Sequence, residues 1–135
     1  MVPSGRRAEG FTAPSRWAPA ARHAVDFGPQ PGNVLRAIEV MGVPADYPAA
    51  QTYAACLIAH RCLEVSRAVD DEALWNAACS LDCSTFFGRF RIDERSGLQL
   101  AHEMVCLQWR EGRRRVVWPG AVAEASPRLF NRPAP

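Results

Sequence analysis

Apolar residues recur along this chain first at the period of a helix and then at the period of a strand. Val34, Leu35, Ile38 and Met41 share one helical face, with Asn33 placed to cap and Gly42 placed to terminate, so the pattern predicts a helix over 33–41. Pro44 to Pro48 reads as a loop. Ala50, Ala54, Leu57, Ile58, Cys62 and Val65 then keep helical spacing, with Pro48 in the first turn, and predict the longest helix, reaching about residue 66. A shorter helix is expected over 70–81. Asp70 or Asp71 caps it, Asp71 and Glu72 suit its positive N-terminal end, and Leu74, Trp75 and Ala78 form its apolar stripe.

Beyond Leu81 the period changes. Aromatic and β-branched residues predict a strand over 87–92, a turn over 93–97 closed by Gly97, and a strand over 100–109 with Val105, Leu107 and Trp109 on one face. Arg110, Glu111 and Gly112 form a hairpin loop, residues 113–118 return, and Pro119 with Gly120 ends the run. Residues 1–31 carry Pro3, Pro14, Pro19, Pro29 and Pro31 without periodicity and are expected to be irregular or extended. The organisation expected is an irregular segment over 1–31, a folded part over 32–119 and an irregular tail over 120–135.

The chain has 135 residues, 48% hydrophobic and 22% charged, which suits one ordinary folded domain. All of its basic residues are Arg, and the net charge is only +2. That balance argues against nucleic acid and against an anionic membrane as partners. No run approaches the roughly 20 apolar residues of a membrane span. Arg6 and Arg7 have no apolar stretch behind them, so no secretory leader is expected within this sequence.

In order, these elements are helix, helix, strand, turn, strand, hairpin, strand. The wording within them is more specific. Tyr47-Pro48-Ala49-Ala50-Gln51-Thr52-Tyr53-Ala54-Ala55 resembles the Tyr-Ala-Ala helix start of solute-binding proteins of the branched-chain amino acid type, which feed ABC importers. Asp71-Glu72-Ala73-Leu74 resembles the start of that family's next helix, and Thr85-Phe86-Phe87-Gly88-Arg89-Phe90-Arg91-Ile92-Asp93 its strand entry. Gly97, Gln108-Trp109, Gly112 and Val117-Trp118-Pro119 match its terminal hairpins, and Ser15-Arg16-Trp17 is a weaker match upstream.

The resemblance spans about residues 11–119. It implies an α/β fold, as the C-terminal part of a type I periplasmic-binding-protein-like architecture. It also implies a longer two-lobed receptor, of which this sequence is a fragment. Solute capture for an ABC permease follows, with an amino acid as ligand and a periplasmic or extracellular location, or a cytoplasmic one if the start is correct. The alternative is a small non-transport structural or interaction domain of the same descent. A fragment of such a lobe is expected to leave Leu57, Ile58, Leu74 and Trp75 incompletely buried.

In the resembled family the loop before the long helix approaches the cleft. Here that loop makes Tyr47 the first candidate ligand contact, as an aromatic wall with a hydroxyl, set against simple packing on the lobe surface. Asp46 is a second candidate, for an amino group, set against helix capping. Gln51 and Tyr53 are weaker candidates. No residue here is assigned to the α-carboxylate.

Other chemistry is less well supported. Cys56 and His60 share a helical face while Cys62 points elsewhere, and no spacing matches a common zinc pattern, so neither metal nor cofactor is expected. The five cysteines read as small buried hydrophobes, and a Cys79–Cys83 bridge suits helical geometry only marginally. No Gly-x-Ser-x-Gly elbow and no phosphate-binding loop is present, and pairs such as Ser84 with His102 have no local signature, so no enzyme is expected. Arg110 and Arg113 to Arg115 cluster at the hairpin, where charges discourage edge pairing.

Overall fold

The computed structural model describes residues 8–129; the expectations over 1–7 and 130–135 lie outside the described residues. The architecture is mixed α and β, with three helices and two antiparallel sheets among the described residues. The chain divides into two compact units. One combines the residues up to Arg22 with those from Met104 onward, and the other is His23–Glu103.

The second unit holds all three helices. α1 spans Pro31–Val40 and starts earlier than expected. Gln30 occupies the cap position without a side-chain bond, Pro31 opens the first turn, and Asn33 lies inside the helix. Proline's fixed φ suits that position, and its missing N–H is one that a helix start leaves unpaired anyway. The C-terminus follows the expectation. Gly42 takes φ +69°. Its N–H donates to Glu39 O at 2.9 Å, and Val43 N–H donates to Ile38 O at 3.4 Å, the paired bonds of a Schellman ending.

α2, Tyr47–Ser66, begins at Asp46, whose Oδ1 accepts from Ala49 N at 3.1 Å. α3, Asp71–Ser80, begins at Asp70, whose Oδ1 accepts from Ala73 N at 2.9 Å. Each bond satisfies one of the donors a helix start leaves over. Asp70→Ala is expected to cost about 1 kcal/mol in urea unfolding and Asp70→Asn only a few tenths, because Asn caps equally well.

α2 and α3 meet through small residues. Cys62, Ala77 and Leu81 form the buried cluster, with Ile58, Leu74, Ala78 and Phe90 packed around it. Ala77, absent from the expected stripe, is the buried residue of α3, while Trp75 is 41% exposed and Val65 on α2 is exposed as well. Close approach of two helices brings short side chains to the contact line and leaves long ones at its margin. Leu57, Ile58 and Leu74 are each half-buried, in keeping with the incomplete burial expected of them.

The expected strand over 87–92 is instead the second arm of a hairpin. β2, Cys83–Thr85, pairs antiparallel with β3, Gly88–Phe90, and Phe86-Phe87 connects them. Beyond β3 backbone pairing continues as an Ile92↔Gln99 bridge, with Leu100 N–H donating to Arg91 O at 2.8 Å, and one side chain reinforces it. Gln99 Oε1 accepts from Arg91 N at 3.1 Å and Ala101 N at 3.0 Å, and its Nε2 donates to Arg89 O at 3.3 Å. The turn before it forms as expected: Asp93 Oδ2 accepts from Ser96 N and Oγ, and Gly97 takes φ +70°.

The first unit is a three-stranded antiparallel sheet in the order β1-β4-β5. β4 is Val105–Arg110 and β5 is Arg113–Trp118. Glu111 and Gly112 join them at φ +56° and +76°, the left-handed pair of a type I′ hairpin. The expected strand start near residue 100 is corrected to Val105. The larger correction concerns 1–31. Its described part contains β1, Thr12–Ser15, paired along β4 from Thr12↔Gln108 to Ser15↔Val105. Pro14 is tolerated there because β1 is an edge strand. Ala18 and Ala21 then join Val105, Leu107 and Val116 in the core of this unit.

Candidate functional site

α2 brings two of the four candidate ligand residues to one face. Tyr47 and Gln51 are four positions apart, one above the other, and with Pro48, Thr52, Ala55, Cys56 and Ala59 they line an open hollow of about 630 Å³. Pro48 starts the helix and Thr52 Oγ donates back to Pro48 O at 2.9 Å, so its hydroxyl is already engaged within the helix. The phenol of Tyr47 and the amide of Gln51 remain as the polar groups of the lining, above a floor of small side chains. Both residues are exposed.

The other two candidates are placed differently. Asp46 is exposed at the helix start and uses Oδ1 as the cap, which is the structural role weighed against ligand binding. Tyr53 lies six positions beyond Tyr47, so at 3.6 residues per turn it is about 240° further round the helix. It is half-buried, with its ring edge-on to Phe86 at 5.7 Å and 79°. Tyr53 therefore belongs to the packing of the second unit and is separate from the hollow.

A second cluster in the same unit has no local sequence signature. His102 stacks on Phe87 with centroids 5.0 Å apart and planes at 14°. Gly88, at φ +127°, backs onto both imidazoles: a Cβ there would lie 3.0 Å from His102 Nδ1 and 3.7 Å from His23 Cε1. His23 Nε2 is enclosed with no hydrogen-bond partner. Burial holds the His23 pKa below its ordinary value, nearby His102 lowers it further, and Glu103 opposes the shift. Ser84 faces a different neighbour, its N–H donating to Asp26 Oδ1 at 2.7 Å.

The cysteines are all free thiols. Only Cys62 is buried and Cys56 is exposed, so the reading of all five as core residues holds for one. Burial raises the pKa of Cys62, Cys79 and Cys83, and carboxylates beside Cys79 and Cys83 add to it. Such thiols stay protonated near neutral pH, the opposite of an activated nucleophile. No group of three His, Cys, Asp or Glu is placed to share a metal ion among the described residues. Among the same residues no helix is long and apolar enough to cross a membrane.

The Arg cluster is divided by its partners. Arg110 Nη1 donates to Ser126 O at 2.7 Å, and Arg115 pairs with Glu124 at 2.9 Å. Arg113 and Arg114 are exposed on β5. Searches of protein-family models and of curated proteins found no match to this chain.

Proposed function

We propose that this chain is part of the solute-binding component of an ABC importer, with a branched-chain or related amino acid as ligand and an ABC permease as partner. The observation that carries the reading is the hollow on α2, which joins Tyr47 and Gln51, two residues of the Tyr-Ala-Ala-like helix start. The resemblance also rests on segments beyond α2. Within the Thr85–Asp93 run, Thr85 ends β2 and Gly88–Phe90 is β3, while Gln108-Trp109, Gly112 and Val117-Trp118 belong to the β4–β5 hairpin. Under this reading the parent architecture is the type I periplasmic-binding-protein-like fold, acting outside the cytoplasmic membrane.

Tyr47 would wall the ligand's apolar body and offer its hydroxyl, and Gln51 would hydrogen-bond a polar group. Neither offers a cation to an α-carboxylate. Binding by this chain is therefore expected to be weak, on the order of 1 mM. Titration calorimetry with leucine, isoleucine and valine checks it. Tyr47→Ala should abolish the heat, while Asp46→Asn, which keeps the cap, separates a ligand charge contact from a structural one. Absence of heat with all three amino acids, where a full-length relative binds them, would exclude the reading.

The second reading is a non-transport interaction domain. A specific observation favours it: Trp75, Leu98 and Leu100 are 41%, 65% and 54% exposed. The Trp75 ring reaches to 3.2 Å from a Cβ built at Gly97, the neighbour of Leu98. An exposed apolar group of this kind suits a protein surface. Self-association of the wild-type chain in sedimentation, without heat from any of the three amino acids, and its loss in a Trp75→Ala, Leu98→Ser double variant would favour it.

A further inference from the structure

The two ends of the second unit place imidazoles against one hairpin. The unit begins at His23 and ends at Glu103, one residue after His102. Gly88, the first residue of β3, has His102 Nδ1 and His23 Cε1 within van der Waals reach of where a Cβ would stand. His102 also covers Phe87 in the turn before it. We propose that His23 and His102 form an acid-sensitive clasp, closed on the β2–β3 hairpin while His23 is neutral and released when His23 takes up a proton.

The argument rests on what a proton would meet. The enclosed Nε2 of His23 has no hydrogen-bond partner, so the imidazolium form would hold an N–H there without an acceptor. The ionisable groups acting on His23 are His102 and Glu103. His102 opposes the charge, and Glu103 favours it but is exposed, where solvent weakens its pull. Asp26, on the same segment as His23, accepts from Ser84 N. The protonated ring is best accommodated by leaving the packed position, which uncovers Gly88 and removes one of the two imidazoles set against the hairpin that carries Phe87.

The sign follows from linkage. The folded pKa of His23 lies below the ordinary value of 6.5, so the unfolded or opened state binds the proton more readily. The stabilisation is complete above 6.5 and is lost as pH falls below it through the folded pKa. No covalent step is involved, and the device is reversible.

The test uses the full chain. Proton NMR follows the histidine Cε1–H signals from about pH 8 to about pH 4.5, assigned with His23→Gln and His102→Gln, while amide exchange is read at Phe87 and Gly88 after correction for intrinsic rates. The expected result is a His23 titration below 6.5, together with loss of protection at both amides over the same pH range. His23→Gln should keep that protection as pH falls. A His23 titration at or above 6.5, or acid loosening unchanged in His23→Gln, would overturn the proposal. Through-bond correlation of each imidazole to its backbone in isotope-labelled wild-type protein assigns the His23 signal without any substitution, so the titration can overturn the proposal even if a variant fails to fold.

Discussion

Phe86→Ala is expected to lower the stability of the second unit by about 3–5 kcal/mol. Phe86 is fully buried although it sits in the two-residue connection between β2 and β3, a place normally turned to solvent. Its ring meets Tyr53 edge-on at 5.7 Å and Phe87 at 6.4 Å and 74°. Removing it takes away a large apolar contact and leaves a void that only partial relaxation fills. Domains of this kind have a total stability of about 5–15 kcal/mol, so one substitution removes a large share of it. All three described helices lie in the second unit, so urea unfolding followed by helical circular dichroism measures the effect. Phe87→Ala, at a half-buried site, should cost clearly less, and a Phe86→Ala loss below about 1 kcal/mol would show that the ring contributes little.

Gln108→Leu is expected to destabilise the first unit by up to about 3 kcal/mol, at about 1 kcal/mol for each of three bonds. Gln108 is 2% exposed on β4. Its Nε2 donates to Gly10 O at 3.2 Å and to Arg128 O at 2.8 Å, and its Oε1 accepts from Arg128 N at 3.0 Å. One amide thus ties the segment before β1 and the segment after β5 to the central strand. Leucine fills a similar volume but leaves those backbone groups unmatched. Amide exchange at Arg128, and at Thr12 and Ala13 in β1, should quicken together. Faster exchange at Arg128 alone would show that β1 is held by its own ladder.

Much of the local structure was legible in the sequence. The apolar stripes marked α1, α2 and α3 to within a few residues, because the helical period and capping by Asp46 and Asp70 are written in adjacent positions. The β4–β5 hairpin was legible for the same reason, although the loop expected over 110–112 narrows to Glu111 and Gly112, with Arg110 taken into β4. Pro31 displaced Asn33 as the start of α1 because proline's fixed backbone outweighs a side-chain cap. The hairpin β2–β3 was harder to see. Its arms are too short to show an alternation, and its buried Phe86 looks like a strand residue when only its neighbours are read.

Of the candidate residues, the helix that carries Tyr47, Gln51 and Tyr53 was legible, but that Tyr47 and Gln51 share a face while Tyr53 packs on Phe86 was not, because which face of α2 is covered depends on Phe86. The contacts of His23 with Gly88, and of β1 with β4, join residues far apart in the chain, and no spacing announces them. The sequence by itself determined the helices, the presence of a hairpin near Gly112 and the balance of charge, because each depends on neighbouring residues and elementary composition. Only the tertiary structure decided that the proline-rich start supplies a strand, that Phe86 turns inward and that two imidazoles close on one glycine. Those outcomes depend on which distant surfaces are brought together to exclude water and pair backbone groups, and local pattern carries no record of that choice.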